Sequence, residues 1–279
     1  MFSPYKLQTL QYGIYGPAGE EGSGRSRVMA RAEKGMPARG SIPQQMPRIA
    51  CYGIAFHILA NYRDEIGSDD AFVARADYVN GKCRIEIGGT LCDGKAVEAA
   101  AGILPRLIRV PLIPFEAKCV SGEYKAHMGF AELSRKAVEE ALSALRSVLV
   151  SIALTVNYEY FIVVGWNGGV ATGYGRHDRI QLPHIQAVLF VHTHPISICY
   201  PSRNDLLSVA DFLADGGLAA LIASPHCISA LRLIRPLIED DYWALQEAAS
   251  CVAKAKSAEH YMDCLGMLQK LESIVFELI

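Results

Sequence analysis

The stretch Val191-His192-Thr193-His194-Pro195-Ile196-Ser197-Ile198-Cys199-Tyr200-Pro201-Ser202-Arg203-Asn204-Asp205 holds a strand end and a helix start within fifteen residues. The apolar run Ala187 to Val191 suits a buried strand, and Pro195 stops it because proline has no N–H to give to a ladder. Pro201, Ser202 and Asp205 then read as a helix start, with Ser202 at the cap and Asp205 in the first turn. On an extended chain, residues two apart project to one face, so His192 and His194 can present both imidazoles to one metal ion. A carboxylate in the next helix's first turn can swing back toward them. Two histidines and one carboxylate leave a fourth tetrahedral position for water, which is the composition of a catalytic zinc site.

Working outward, Leu206 to Leu213 reads as a helix, and Gly217 to Ala223 and Tyr160 to Val164 read as buried strands. Before them, Leu133, Ala137, Leu142, Leu145 and Leu149 mark an amphipathic helix over Ala131 to Leu149, with Arg135, Lys136, Glu139 and Glu140 for its opposite face. Gly165-Trp166-Asn167-Gly168-Gly169 reads as a turn, since it lacks the Lys-Ser/Thr ending of a phosphate cradle. Residues 131–238 are therefore expected to form the domain that carries the chemistry.

Residues 49–130 are expected to form a small α+β region. It would hold a helix over Ala50 to Asp64 and a hairpin of Phe72 to Val79 and Lys82 to Ile87 around Asn80-Gly81, a type I′ turn signal. A helix over Gly94 to Gly102 and a strand near Arg109 to Val120 would follow, broken by Pro105, Pro111 and Pro114. The order strand, strand, helix, strand fits a β-grasp module and other α+β folds alike, and it points to no function. Residues 1–48, rich in Gly, Pro, Ser and Arg, read as a disordered tail with seven Lys/Arg against three Glu. In residues 239–279, Ala258, Met262, Leu265, Leu268, Leu271, Val275 and Leu278 recur at helical spacing. They predict a helical tail, as one long helix or a hairpin, for packing or an oligomer interface.

Composition bounds the function. With 51% hydrophobic and 20% charged residues and a mean hydropathy of +0.17, the 279-residue chain is globular in character. Lys+Arg total 27 against Asp+Glu 29, so no basic surplus favours a phosphate backbone and nucleic acid is a poor partner. The longest charge-free apolar run, Ser147 to Val156, has ten residues where a bilayer needs about 20, so no membrane span is expected. The first residues lack a basic segment followed by an apolar stretch, so the expected location is cytoplasmic. The eight cysteines form no Cys-x-x-Cys pair and read as buried thiols. Cys199 has no general base beside it in the sequence, and His226 reads as structural.

His-x-His-Pro, six residues, then Ser-x-x-Asp is similar to the signature of the JAMM (MPN+) zinc metalloprotease family, and each fixed position is matched here. The resemblance is specific across fourteen residues and extends from about Ala131 to Pro236. It implies an α/β (α+β) fold, a curved mixed β-sheet flanked by helices of the cytidine-deaminase-like kind. It also implies a zinc-dependent isopeptidase whose substrate is a ubiquitin-like protein or its conjugates. Carried onto the matching positions, His192, His194 and Asp205 would be the zinc ligands, and Ser202 would stabilise the oxyanion. The family's general base is a Glu on an earlier strand. Glu159, 33 residues before His192 and after the amphipathic helix, fits that place; Glu139 and Glu140, inside the helix, are the alternatives. Two other readings stand beside the isopeptidase: an MPN-type interaction scaffold, whose members usually lack the metal ligands, and a RadC-like protein sharing the same arrangement. Only 11 residues separate Asp205 from Gly217, too few for an insertion that could grip a second ubiquitin-like unit.

Overall fold

Asn80 and Gly81 both take positive φ, 53° and 78°, the angles a type I′ turn needs. The turn joins β1 (Phe72–Val79) to β2 (Lys82–Gly88) in the antiparallel hairpin expected from the sequence. The structure, a computed structural model, describes residues 42–90, 92–122, 127–155, 158–174, 186–195 and 198–279. It is an α+β molecule with six helices and two mixed sheets among those residues.

The three-stranded sheet has the order β1-β2-β3, with β3 (Phe115–Cys119) parallel to β2. The crossover between them is α2 (Gly94–Leu107), capped by the Asp93 side chain, which accepts from Lys95 N. This helix runs past the expected stop at Gly102. Pro105 lies in its last turn, where it forfeits one backbone bond while Leu104 stays fully buried. Helix α1 (Pro47–Ile66) buries residues around much of its circumference, among them Ile49, Ile54, Phe56, Ile58 and Tyr62, the mark of a helix enclosed by other elements. It packs on β1, β2 and α2, and also on α3 (Phe130–Thr155). One apolar core therefore runs unbroken across the expected boundary at residue 130.

The six-stranded sheet has the order β5-β4-β6-β7-β8-β9. Its strands are β4 (Tyr160–Val164), β5 (Val170–Tyr174), β6 (Leu189–Thr193), β7 (Ala219–Ala223), β8 (Ile228–Leu233) and β9 (Ile274–Leu278). Only β6 and β7 run parallel, and the helix α4 (Arg203–Ala214) lies in the crossover between them. Every residue of β6, β7 and β8 is buried, so both faces of the sheet centre are covered.

Three expectations are corrected. The C-terminal tail is not wholly helical: α5 (Glu239–Lys254) and α6 (Ala258–Gly266) are followed by a 3-10 turn and then β9. Two buried polar groups hold that strand. Arg232 of β8 reaches Glu277 at 2.7 Å, and Asp241 accepts from Glu272 N at 3.1 Å and Ser273 N at 2.5 Å. The tail reading of residues 1–48 also ends too late. Residues 1–41 lie outside the described residues, but Met46 is buried and donates to Gly168 O at 2.7 Å, and Gln45 bridges to Gly169. Gly168 is required there: at φ +77°, its backbone passes so close to Pro47 that a Cβ would lie 2.9 Å from Pro47 Cα.

The third correction concerns the cysteines. All eight are paired, as Cys51–Cys83, Cys92–Cys119, Cys199–Cys227 and Cys251–Cys264, with Cα separations of 5.5, 5.8, 5.7 and 5.5 Å. Those separations suit disulfides. The partners are 13 to 32 residues apart and meet only through tertiary packing. Among the described residues, no helix is long and apolar enough to cross a membrane.

Candidate metal centre

The β6-to-β7 crossover brings a strand end and a helix start together. His192 lies in β6 and His194 just beyond it, where its N–H donates to Ala223 O at 2.7 Å and extends the ladder past Thr193. On the other side, Ser202 caps α4. Its Oγ accepts from Asp205 N at 3.3 Å, and Asp205 Oδ2 accepts from Ser202 N at 2.6 Å, a reciprocal capping box. The cap fixes the carboxylate at the helix start, the end where partial positive charge favours an anion.

His192 Nε2 lies 3.0 Å from Asp205 Oδ1, His194 Nε2 lies 3.2 Å from Asp205 Oδ2, and the two Nε2 atoms are 3.1 Å apart. All three residues are buried. His194 Nδ1 lies 3.1 Å from Ile198 O and can donate to it, which in a neutral ring leaves Nε2 as a bare acceptor facing the acceptor oxygen of Asp205. Bare acceptors at such separations repel unless a proton or a cation sits among them. A tetrahedral ion with bonds of about 2.0–2.1 Å needs donor atoms roughly 3.3 Å apart, close to the separations found. The donor set and its spacing thus fit a divalent cation.

The electrostatics agree in sign. Burial works to raise the pKa of Asp205, but the neighbouring imidazoles, His192 foremost, outweigh it and hold the carboxyl well below the usual range. For His194, burial works to lower the pKa; the hydrogen bond and charge of Asp205 outweigh it, the carbonyl of Ile198 and the charge of Glu159 add to them, and the result is raised. His192 Nδ1 is buried with no hydrogen-bond partner among the described residues.

Glu159 precedes β4, which pairs antiparallel with β6 in the register Phe161↔His192. Continuing that register by two residues sets Glu159 opposite His194 and on the same face of the sheet. Glu139 and Glu140 are elsewhere, on α3, where Glu139 pairs with Arg135 and Glu140 lies 3.7 Å from Arg48.

Tyr261 was not singled out from the sequence. It sits in α6, its hydroxyl donates to Pro201 O at 3.0 Å, and burial together with the Asp205 charge pushes its pKa up to about 12. No sequence signal marks it, since it lies outside the helical series Ala258, Met262 and Leu265, and its contact with the site depends on how the α5–α6 hairpin folds back. Cys199 is bonded to Cys227, so the loop between His194 and Ser202 is tied to the β7–β8 turn. Ser229 Oγ donates to Cys199 O at 2.5 Å and ties it again.

Compared with family models, with curated proteins and with solved structures, the chain matches none of them.

Proposed function

We propose that the protein is a zinc-dependent metallopeptidase or isopeptidase of the JAMM/MPN kind, hydrolysing the amide or isopeptide bond at the C-terminus of a ubiquitin-like protein. The observation that carries this reading is the convergence of His192 Nε2, His194 Nε2 and the Asp205 carboxylate within 3.0–3.2 Å of one another. Zinc held by these three residues would act as a Lewis acid and lower the pKa of a coordinated water toward ~7. Glu159 would take the proton released as that water attacks and hand it to the leaving amine. Ser202 would donate its O–H to the developing oxyanion. Its capping role uses the oxygen as an acceptor from Asp205 N and does not consume the O–H.

The cytoplasmic location fits this proposal under one condition. Four disulfides persist in a cytosol chiefly in hyperthermophiles, and elsewhere they belong to oxidising compartments.

The test is elemental analysis of protein prepared with zinc present and chelator absent, followed by incubation with a panel of ubiquitin-like conjugates with and without chelator. We expect zinc at this centre, cleavage of at least one conjugate, loss of cleavage with chelator and recovery on adding zinc. A metal-free preparation defeats the reading at its base. Zinc-loaded protein that binds conjugates and cleaves none is the interaction scaffold instead.

A further inference from the structure

The α5–α6 hairpin carries a second group of metal-ligating side chains, remote in sequence from the motif. Cys251 is on α5 and Cys264 on α6, and the two helices are joined by the short link Ala255 to Ser257. His260 lies four residues before Cys264, so the two share one face of α6. Ser257 Oγ caps that helix by accepting from His260 N at 3.1 Å. Both sulfurs and one imidazole nitrogen of His260 lie within 4.8 Å of one another. The sulfurs are bonded to each other.

One observation sets this pair apart from the other three disulfides. Among the described residues, it is the only one with a third ligand, imidazole or carboxylate, in reach of both sulfurs. Cys264 itself is buried, but Cys251 and His260 line a surface cavity of about 660 Å³ together with Trp243, Glu247 and Lys254, which gives an ion a way in. Glu247 precedes Cys251 by four residues, one turn along the same face of α5.

We infer that Cys251, Cys264 and His260 form a second metal site, a thiolate site for Zn2+ that exists only when the Cys251–Cys264 disulfide is reduced. Two thiolates and an imidazole are donors that Zn2+ takes readily, and the fourth position falls to Glu247 or to a water in the cavity. The step balances with a thiol or phosphine reductant. Two electrons and two protons break the S–S bond and give two thiols, the reductant is oxidised by two electrons, and Zn2+ then displaces both thiol protons. The sulfurs must move apart, because two thiolates with Zn–S bonds of about 2.3 Å around one tetrahedral ion are roughly 3.7 Å from each other. The hairpin can accommodate that motion, since its turn already holds the helices together without the disulfide. This site is independent of the His192 centre and of any activity there.

The experiment uses the full chain carrying His192→Ala and His194→Ala, which silences the first centre. Metal-free protein is offered Zn2+ with and without a phosphine reductant, desalted, and analysed for zinc per chain. We expect about one zinc in the reduced sample and none in the oxidised one. Adding Cys251→Ser and Cys264→Ser should abolish the gain. His260→Ala should weaken binding at least as much as the ~10–100-fold typical of losing a ligand's outer-shell partner. A second reading needs no substitution at the cysteines: in reduced protein, Zn2+ should slow alkylation of Cys251 and Cys264, read peptide by peptide by mass spectrometry. No zinc gained on reduction overturns the inference, as does an equal gain without Cys251 and Cys264. Alkylation of these two residues indifferent to Zn2+ overturns it as well.

Discussion

His192, His194 and Asp205 come from a strand end and a helix start that meet because a parallel crossover requires it, and all three are buried. Cys251, His260 and Cys264 come from two consecutive helices of one hairpin, with His260 exposed and the sulfurs bonded to each other. In the first group, the backbone fixes the donors: β6 and β7 hold one side, and the Ser202–Asp205 capping box holds the other. In the second, a covalent bond occupies two of the donors. A buried, preformed group should hold its metal whatever the redox state, whereas the hairpin should bind only after reduction. Tyr261 joins the two regions, for it follows His260 in sequence and its hydroxyl donates to Pro201 O, next to Ser202.

The largest effect expected is from His192→Ala. Removing one of three ligands from a buried site should empty the first centre under oxidising and reducing conditions alike and abolish activity with it. Elemental analysis of the oxidised variant, and of the reduced variant with Cys251→Ser and Cys264→Ser added, checks this, and metal retained by either would break the contrast. Next comes Glu159→Gln, which keeps the ligands and the shape. Zinc content and thermal stability should stay at wild type while cleavage of a processed conjugate falls by about 10²–10⁴-fold. A wild-type rate would shift the search for the base away from Glu159; lost zinc would make that carboxylate a fourth ligand. Ser202→Ala is smaller again. It should cost on the order of 10²-fold in rate by removing an oxyanion donor and about 0.5–2 kcal/mol by removing the cap of α4, read by conjugate cleavage and by urea unfolding. A rate loss without a stability loss would mean that the cap is dispensable.

The first group was legible because its residues fall in fourteen consecutive positions, where one proline and one cap spell out strand, loop and helix. Asn80-Gly81 was legible for the same reason: two residues specify the turn. What was missed depends on distant partners. Leu268, Leu271, Val275 and Leu278 recur at spacings of three and four and so mimic a helix, yet Ile274–Leu278 is a strand. Its choice is made by the open edge of β8 and by Arg232, which meets Glu277 across it. β5 carries little apolar signal, since Ala171, Thr172 and Tyr174 are exposed or half-exposed, and it is defined by pairing with β4. Eight cysteines allow 105 pairings, so no reading of their spacing could select the four that form. For the same reason, the hairpin group stayed hidden. His260 and Cys264 share a face that any helix reading shows, but Cys251 reaches them only once the tail turns back on itself.

The smallest effect concerns the two disulfides near these groups. In the chain-entropy picture, a cross-link stabilises by restricting the unfolded chain, and more so for longer loops. Cys199 and Cys227 are 28 residues apart, Cys251 and Cys264 only 13. Loop length alone therefore makes the Cys199→Ser/Cys227→Ser variant the less stable of the two by roughly 0.7 kcal/mol. The local structure works in the same direction. The first bond ties a loop to a separate turn, whereas the second bridges helices already joined by a three-residue link. Urea unfolding of both double variants, metal-free, measures the difference. If Cys251→Ser/Cys264→Ser proves the more damaging, the hairpin depends on its disulfide for its own fold. It could not then open to take up an ion, and the contrast between a group fixed by the backbone and one released by reduction would collapse.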